Sequence, residues 1–366
     1  MKHANSKMPC IVVEDDRVLR QVQVLIDPRA TTERTQAYEQ YVSHDVPDYF
    51  GWRERLRARL PQLFPADVRL VDSQESLRAN LSEADIVIVE GLEIGSQELA
   101  MAPHLAVVQN FGVVTENIDA QACAQHGIPL LTLRRRTNIA LAEHTLMFML
   151  CLARRFGLVN GLVTTERLIA SGIPQSPYDT RHTAQANFGR VPQLQTLSGR
   201  TLGLLGFGEI GRETAALARA FGMDVAYHKR TRLDVRAELD RGVRHCSLDE
   251  LLKQSDFLSI HIPMTAKTQG LIDAKALGQM KPGSFLVNTA RAGIVDQKAL
   301  LDALASGQLA GAALDVLYQE PMAEGDSLLN RPNVLLTPHL AGASRMNGLQ
   351  DATDMLLGIQ QALNSA

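Results

Sequence analysis

The chain has 366 residues, of which 45% are apolar and 21% are charged, so it is long enough for two domains with sizeable cores. Its formal net charge of −3 argues against a nucleic acid or an anionic membrane as the main partner. The four cysteines form neither a C-x-x-C pair nor a metal-ligand spacing, so we expect reduced thiols, no metal site and a cytoplasmic location. We also expect no signal peptide, and the longest apolar-rich segment, residues 146–153, is too short to span a bilayer.

Two series of short apolar runs alternate with helical patterns along the chain. The first series occupies residues 10–13, 22–26, 68–71, 86–90, 105–109 and 128–133, and the second occupies residues 201–208, 224–228, 257–262, 284–290, 311–317 and 333–339. Continuous apolar runs of this length are typical of parallel strands that are buried on both faces. We therefore expect an α/β fold with two doubly wound parallel sheets. The runs at 10–13 and 22–26 are so close together that either could be the first strand.

A long apolar segment separates the two series. Residues 137–155, TNIALAEHTLMFMLCLARR, predict a buried helix that ends in two arginines, which suits a helix C-terminus. The segment that follows, residues 156–199, contains several prolines and few strong helix formers. We expect a long irregular loop or arm there, of the kind that usually has a function or makes contacts elsewhere.

A glycine-rich turn opens the second series. It lies between an apolar strand and an amphipathic helix, and it comprises Gly206, Phe207, Gly208, Glu209, Ile210 and Gly211. In this context G-x-G-x-x-G predicts a dinucleotide-binding loop. The first glycine allows the tight turn, the second lets a pyrophosphate approach, and the third lets the helix pack on the strand. The alternative is a merely tight turn, against which the spacing of three glycines argues.

Basic residues follow the next strand, at the position where NAD-binding folds carry an acid. The sequence there is AYHKRTR: His228 takes the place of the acid, and Lys229, Arg230, Thr231 and Arg232 follow. An acid would repel a 2′-phosphate, whereas a guanidinium can bind one in a bidentate manner. We therefore predict NADP as the cofactor in preference to NAD. A solvated basic loop is the alternative.

Three polar residues stand near the ends of later apolar runs, and parallel strands would bring them to one crevice. They are Arg291, Glu320 and His339. His339 could donate a proton to a keto oxygen, a buried Glu320 could fix its tautomer and favour its charged form, and Arg291 could bind a carboxylate or polarise the keto oxygen. Together they predict the reduction of a 2-keto acid. Singly, each has a structural alternative: a strand-end histidine, an ion-paired arginine, and a turn residue before a proline.

At these motifs the sequence resembles the D-isomer-specific 2-hydroxyacid dehydrogenases, which include glyoxylate/hydroxypyruvate reductases and phosphoglycerate dehydrogenases. The resemblance begins at about Ala84 and rests on LSGRTLGLLGFGEIG, LSIHIPMTAKTQGLI, MKPGSFLVNTARAGIVD, AALDVLYQEP and TPHLAGAS. It implies that Arg291 binds substrate and that Glu320 and His339 form the acid–base pair. It also implies several cofactor contacts. His261 and Pro263 would lie on the loop near the adenosine half, Thr289 and Ala290 beside the nicotinamide, and Asp315 at its carboxamide; Thr268 and Gly342 would also bind the cofactor.

The resemblance also implies an architecture of two Rossmann/flavodoxin-like domains. A cofactor domain, residues 134–339, would be inserted into a flavodoxin-like substrate domain formed by residues 1–133 and 340–366. The helix and arm at about 137–199 would build a homodimer. The arm is longer than is common in the family.

The segment FGVVTENID, residues 111–119, resembles the family's substrate loop, G-x-G-x-D-N-I-D. Phe111, Gly112, Val113 and Val114 would bind the substrate, with backbone N–H groups near the two valines directed at its carboxylate. Val114 stands where the family has its second glycine and Glu116 where it has aspartate, which changes the shape of the pocket.

A second departure lies just before the long helix. The family usually has Asn-Ser where Thr137 and Asn138 stand, and three arginines, 134–136, precede them. These arginines could favour an acidic group on the substrate, but we expect them to face water.

Three alternatives to a 2-hydroxyacid dehydrogenase of unassigned substrate stay open. Formate dehydrogenases usually carry glutamine in place of Glu320, so a complete His–Glu pair argues against that activity. The chain continues only briefly after His339, so we do not expect the regulatory domain of many phosphoglycerate dehydrogenases. The third alternative is a binding protein, a nucleotide-sensing corepressor, against which the retained Arg–Glu–His set argues.

Overall fold

The computed structural model describes residues 8–173 and 190–365 and divides into two units. Unit 1 comprises Met1–Thr137 and Ser344–Ala366, and unit 2 comprises Asn138–Ala343. Each unit contains one sheet of parallel strands that alternate with helices, so the predicted α/β fold with two parallel sheets is confirmed. The division falls at 137/138 and 343/344, whereas the sequence predicted 133/134 and 339/340. Which unit serves substrate and which serves cofactor stays a prediction.

Unit 1 is built on five strands. They are β1 Cys10–Glu14, β2 Asp67–Val71, β3 Ile86–Val89, β4 Val107–Asn110 and β5 Leu130–Leu131. Its helices are α1 Gln21–Ile26, α2 Thr32–Ser43, α3 Tyr49–Ala58, α4 Gln74–Asn80, α5 Ser96–Ala100, α6 Ala120–Gln125 and, from the C-terminal segment, α15 Arg345–Ser365. The strand order β2-β1-β3-β4-β5 is that of flavodoxin-like sheets.

Both faces of the unit 1 sheet are buried, as β1 illustrates. Ile11 and Val13 lie in one apolar cluster with Met355 of α15, whereas Val12 lies in a second cluster with Leu77 of α4. Successive strand residues point to opposite faces, so a strand that is covered on both sides is apolar throughout. This is why the apolar runs predicted most strands correctly.

The prediction of a strand at residues 22–26 is wrong, because this segment belongs to helix α1. Five of the six residues of α1 are buried, so the helix carries no polar face that would reveal its period. A short run that is apolar on all sides has the same sequence pattern in a buried strand and in a buried helix.

Unit 2 is built on seven strands. They are β6 Thr201–Leu205, β7 Asp224–His228, β8 Val243–His245, β9 Phe257–Ile260, β10 Ser284–Asn288, β11 Leu309–Leu314 and β12 Val334–Leu336. Its helices are α7 Arg136–Ala153, which begins two residues before the unit does, α8 Phe156–Val159, α9 Thr165–Ala170, α10 Glu209–Ala220, α11 Val235–Arg241, α12 Leu248–Gln254, α13 Ala274–Gln279 and α14 Gln297–Ser306. Single 3-10 turns occupy Leu81–Glu83 in unit 1 and Ala292–Ile294 in unit 2.

The sheet order of unit 2 is β12-β11-β10-β9-β6-β7-β8. Counted from the first strand of the unit, the order is 7-6-5-4-1-2-3, which is the Rossmann order with a seventh strand appended. The order reverses between β6 and β9. In doubly wound sheets, ligands bind at the carboxyl ends of the strands at such a point.

Two features of unit 2 differ from expectation. Strand β8 was not predicted, because it is a three-residue edge strand, VRH, without an apolar run. Residues 156–199 were expected to be irregular, yet α8 and α9 lie within them; residues 174–189 of this predicted arm lie outside the described residues. Across the described ranges, no helix combines the length and the hydropathy that crossing a membrane requires.

Candidate active site

The glycine-rich turn lies at the carboxyl end of β6, beside the end of β9. Gly206 has φ +101°, and a Cβ atom on it would lie 2.4 Å from the carbonyl oxygen of His261, so only glycine fits. A Cβ on Gly211 would lie 2.7 Å from the carbonyl oxygen of Gly206, which explains the third glycine as a close approach of helix to loop. Gly208 differs, because a Cβ there would meet no atom of the described residues within 4 Å.

The open space at Gly208 suits a dinucleotide. Gly208 is the N-cap of α10, a helix of 12 residues, so the backbone N–H groups of Glu209 and Ile210 begin the helix there. Phe207 is buried and stacks on Tyr227 of β7, with ring centroids 4.3 Å apart, and this contact holds the turn against the sheet. The residues present therefore fit a pyrophosphate, which binds at a helix N-terminus where a side chain is missing.

Asn138 is a contact that the sequence did not reveal. Its side chain is 5% exposed and donates a hydrogen bond to the Glu209 carboxylate. Asn138, which stands where the family has serine, therefore contacts Glu209, the first residue of helix α10.

The basic loop after β7 divides into two parts. Arg232 donates two hydrogen bonds, of 2.9 and 2.7 Å, to Glu238, which is 5% exposed and also accepts one of 2.7 Å from the Tyr227 hydroxyl. The Arg232 guanidinium lowers the pKa of Glu238 to about 2. Arg232 thus uses two of the five N–H donors of its guanidinium within its own chain, and its side chain is 54% exposed.

The other residues of this loop lie at the end of β7: His228 is the last residue of the strand, and Lys229, Arg230 and Thr231 follow it. His228 shares a hydrogen bond of 3.0 Å between Nδ1 and the Cys246 carbonyl, so its Nε2 faces elsewhere. Arg230 and Thr231 are exposed, and Lys229 is half-buried. Among described residues, the Arg230 guanidinium makes no hydrogen bond or ion pair.

The loop after β9 holds the predicted adenosine-side residues. His261 Nε2 lies 2.8 Å from Ser259 Oγ, and loss of hydration lowers the pKa of His261 to about 4, so its imidazole is neutral at pH 7. The Thr268 hydroxyl donates to the Pro263 carbonyl at 2.7 Å and accepts from the Thr265 N–H at 2.8 Å. Thr268 therefore closes this loop on itself.

His339 and Glu320 are paired in unit 2. His339 Nδ1 lies 2.8 Å from Glu320 Oε2, and Glu320 also accepts the Leu317 N–H at 3.0 Å. The bond to His339, and then the bond from Leu317, lower the pKa of Glu320, with the Arg291 charge adding to the effect. An ionised carboxylate can only accept, so Nδ1 carries a proton and Nε2 is the nitrogen that exchanges one.

The expectation of a buried Glu320 is wrong. The side chains of Glu320 and His339 are 40% and 46% exposed. The carboxylate is held ionised by its hydrogen bonds and not by burial, which would have disfavoured its charge. Beside the pair, a cavity of about 410 Å³ is lined mainly by apolar residues, among them Leu317, Met322 and Leu329.

Arg291 lies just beyond β10, on a turn that Asn288 organises. Asn288 is 1% exposed; its amide donates to the Arg291 carbonyl at 2.9 Å and accepts from the Ala290 N–H at 3.0 Å. The exposed Arg291 guanidinium donates to the Ala290 carbonyl at 2.6 Å. Thr289 is 8% exposed, and its hydroxyl lies 3.4 Å from that of Thr145 on α7.

Asp315, at the end of β11, is tied to the segment that carries His339. It is 1% exposed and accepts hydrogen bonds from the Thr337 hydroxyl at 2.6 Å and from the N–H groups of Leu340 and Ala341, both at 2.9 Å. Gly342 follows and is half-buried. Unit 2 thus brings together the predicted acid–base pair and Arg291, while Asp315 anchors the segment of His339.

Unit 1 carries the predicted substrate loop. Phe111 and Gly112 are buried, whereas Val113 is 42% exposed and Val114 is half-buried. The loop is held by the Asn110 side chain, which donates to the Val114 carbonyl at 3.0 Å. Val113 is therefore accessible, as are Glu116 and Asp119 farther along the loop.

The expectation that the three arginines face water is wrong for two of them. Arg135 is 17% exposed, pairs with Glu90 at 2.6 Å and lies 4.9 Å from the centre of the Phe111 ring. Burial raises the pKa of Glu90, which Arg135 opposes. Arg136 bonds to Asp351 and Asp354 of α15, so it holds the C-terminal helix.

Comparisons with known proteins identify the family of the chain. A family model described as the NAD binding domain of D-isomer specific 2-hydroxyacid dehydrogenases matches residues 147–341. The chain is 36% identical over 283 residues to a glyoxylate reductase of Aeropyrum pernix, which is 76% of this chain and 79% of that protein. It is 34% identical over 279 residues to an (S)-sulfolactate dehydrogenase of Chromohalobacter salexigens, which is 76% of this chain and 84% of that protein.

A solved structure extends the similarity to nearly the whole length of the chain. The crystal structure of a glyoxylate reductase from Paecilomyes thermophila matches with a TM-score of 0.53 and 25% identity, over 97% of this chain and 95% of that one. These relatives are named as reductases and dehydrogenases, so the alternative of a nucleotide-sensing binding protein gains no support. The chain belongs to the D-isomer specific 2-hydroxyacid dehydrogenase family and performs NAD(P)-dependent hydride transfer on 2-keto or 2-hydroxy acids.

Proposed function

We propose that the chain reduces a small 2-keto acid to a D-2-hydroxy acid with NADPH, and that His339, Glu320 and Arg291 carry the reaction. Unit 2 would be the cofactor domain and unit 1 the substrate domain. The observation that carries this proposal is the 2.8 Å contact between His339 Nδ1 and Glu320 in the unit that also contains the glycine-rich turn.

The proton chemistry follows from the His339–Glu320 pair. Reduction of a keto group adds a hydride to carbon and a proton to oxygen, and a bound nicotinamide would supply the hydride. His339 Nε2 gives its proton to the keto oxygen while Nδ1 stays bonded to Glu320. Because Glu320 is ionised, it stabilises the imidazolium before transfer; in oxidation, the same nitrogen accepts the proton from the hydroxyl.

Substrate and cofactor would be held by exposed polar groups. The Arg291 guanidinium binds the substrate carboxylate or polarises the keto oxygen, and the N–H groups near Val113 and Val114 add to carboxylate binding. The turn at 206–211 would hold the pyrophosphate. The nicotinamide half would meet residues 289–290, Asp315 and Gly342, and the adenosine half His261, Pro263 and Thr268.

The preference for NADPH rests on the basic loop after β7. No acid stands at the end of β7, and Arg230 is an exposed guanidinium. Arg230, with His228, Lys229 and Thr231, would bind the 2′-phosphate, whereas Arg232 would not, because Glu238 holds it.

A homodimer in the cytoplasm completes the proposal. Large apolar side chains are exposed on α7 and in the segment after it: Met147 at 41%, Phe156 at 51%, Val163 at 70% and Ile169 at 59%. Exposed large apolar side chains are typical of a surface that another subunit covers. The four cysteines are free thiols, which suits a reducing compartment.

Steady-state kinetics of His339→Gln test the acid–base role. We expect turnover of glyoxylate, hydroxypyruvate or pyruvate to fall by about 10²- to 10⁴-fold, with the NADPH dissociation constant unchanged. His104→Gln, at an exposed position in unit 1, is the matched control and should behave as the wild type. Near-normal turnover in His339→Gln would remove this residue from the mechanism.

Cofactor preference is tested at Arg230. Arg230→Gln should raise the KM for NADPH by about tenfold or more and leave the KM for NADH unchanged, since only the former carries the phosphate. Arg59→Gln removes the same charge from an exposed site in unit 1 and should change neither constant. A wild-type enzyme that prefers NADH would contradict the NADPH proposal.

A further inference from the structure

His339 lies in a segment that is pinned on both sides. Before it, the Thr337 hydroxyl bonds to Asp315 Oδ1 at 2.6 Å; after it, the N–H groups of Leu340 and Ala341 bond to the two oxygens of the same carboxylate at 2.9 Å. The His339 N–H donates to the Thr337 carbonyl at 3.0 Å, which closes the turn. His339 itself has φ +53°, a left-handed conformation that residues other than glycine seldom adopt.

The direction of the hydrogen bonds around Thr337 can be assigned. The carboxylate of Asp315 receives three donors, so it acts as an acceptor, and the one hydroxyl proton of Thr337 is used toward it. His144 Nε2 lies 3.1 Å from the same hydroxyl oxygen. With its proton committed, that oxygen can only accept, so His144 Nε2 must be the donor.

His144 is suited to this fixed role. It lies on α7, its side chain is 10% exposed, and its ring meets Phe148 edge-on with centroids 4.5 Å apart. Burial lowers the pKa of His144, and the charge of Asp315 opposes the effect. The neutral ring carries one proton, and the contact to Thr337 assigns it to Nε2.

We propose that Thr337 and His144 are positioning residues for His339, acting through the hydrogen-bond chain His144 Nε2–H to Thr337 Oγ1–H to Asp315. The chain holds the left-handed turn that aims His339 at Glu320. This inference rests on the proposed role of His339 in proton transfer. It adds to that role two residues that need touch neither substrate nor cofactor.

Thr337→Val tests the proposal, because valine keeps the shape and removes the hydroxyl. We expect kcat to fall by about ten- to a hundredfold, because a small displacement of the His339 imidazole slows proton transfer. The KM for NADPH should stay within about twofold of wild type. Thr337→Ser restores the hydroxyl and should recover most of the turnover. Thr353→Val makes the same change on α15 of unit 1, where the hydroxyl donates to the Leu349 carbonyl at 2.8 Å, and should leave kcat unchanged.

A double-mutant cycle separates positioning from general damage. Both Thr337→Val and His144→Phe break one chain, so the double variant should be about as slow as the slower single variant. Multiplicative losses, or a Thr337→Val enzyme with wild-type kcat, would overturn the proposal. If circular dichroism shows that Thr337→Val does not fold, the single variants His144→Phe and Thr337→Ser test the proposal instead. A normal kcat in His144→Phe would then refute the role of the hydrogen-bond chain.

His339→Gln distinguishes this inference from the proposed function. If His339→Gln keeps its turnover, the acid–base role fails, and the positioning role fails with it. If His339→Gln is inactive and Thr337→Val is normal, only the positioning role fails.

Discussion

Replacing Gly206 and Gly208 with alanine, one at a time, should separate folding from cofactor binding within a single turn. Gly206 has a positive φ and faces the His261 carbonyl oxygen, 2.4 Å from where a Cβ would lie. Gly208 stands two residues away with a negative φ of −81°, and its Cβ position has no atom within 4 Å in the part of the chain that the structure describes. The added methyl group would therefore clash with the backbone at Gly206 but enter open space at Gly208.

For Gly206→Ala, two contributions add. An L-residue at φ +101° carries backbone strain of about 1–3 kcal/mol. The contact with the His261 carbonyl forces the ends of β6 and β9 apart, which by analogy with overpacked cores costs about another 1–3 kcal/mol. The expected loss, about 2–6 kcal/mol, is a large fraction of the 5–15 kcal/mol that typically stabilises a domain.

For Gly208→Ala, the contributions to stability nearly cancel. Alanine restricts the unfolded chain, which stabilises by about 0.4–1 kcal/mol, but it is a poorer N-cap than glycine by about 0.5 kcal/mol. Unfolding should therefore change by less than about 0.5 kcal/mol. The methyl group fills the space that a pyrophosphate would enter, so NADPH affinity should fall at least tenfold, or about 1.4 kcal/mol.

Calorimetric unfolding and NADPH titration measure the two effects. The only tryptophan, Trp52, lies in unit 1, so its fluorescence during unfolding reports on the unit that neither substitution touches. We expect Gly206→Ala to melt early by circular dichroism and Gly208→Ala to melt with the wild type but bind NADPH weakly. A Gly208→Ala protein with wild-type affinity would refute the assignment of this turn to the pyrophosphate, and a fully stable Gly206→Ala would refute the close approach to His261.

Two further predictions concern stability and pH. Glu238→Gln should destabilise the protein by about 1–2 kcal/mol at neutral pH, because Arg232 and Tyr227 lose their carboxylate partner. Since the folded pKa of Glu238 is lowered from 4.5 to about 2, mainly by Arg232, its contribution is complete above pH 4.5 and lost toward pH 2; acid unfolding of the variant should show a shallower slope there. For His261, burial lowers the pKa from 6.5 to about 4, so the unfolded chain takes up the proton first and stability falls as the pH drops from 6.5 to 4. In His261→Gln, urea unfolding midpoints should lose this dependence, and an unchanged slope would contradict a buried neutral ring.

The sequence was most informative where one physical constraint acted on consecutive residues. Strands β3 and β10 are buried along their whole length and read as unbroken apolar runs. The glycine-rich turn was equally easy to recognise. A Cβ on Gly206 or Gly211 would lie 2.4 or 2.7 Å from a backbone carbonyl oxygen, so both positions require glycine, and Gly208 stands beside open space. By contrast, β8 is a short edge strand with an exposed arginine, so no run marked it.

The contacts that escaped prediction join residues that do not belong to one sequence motif. Arg232 was grouped with its basic neighbours, yet its partner is Glu238, one helical turn into α11. Asp315 and Thr337 are 22 positions apart and meet because β11 and β12 are adjacent in the sheet. The sequence shows where charged residues cluster. It does not show which of them pairs with a buried side chain, and that pairing decides which charges are structural and which can bind a ligand.

Both units have a point where the strand order reverses, but only one of them leaves it open to an anion. In unit 1 the reversal lies between β1 and β3, and the Glu14 carboxylate at the end of β1 accepts the N–H groups of Glu90, Gly91 and Leu92 at 2.7, 2.8 and 3.0 Å. The chain thus satisfies with its own carboxylate the backbone donors that could bind a phosphate. In unit 2 the corresponding turn has a glycine beside open space. This difference supports the proposed binding of the cofactor in unit 2 and of the smaller acid at the loop after β4 in unit 1.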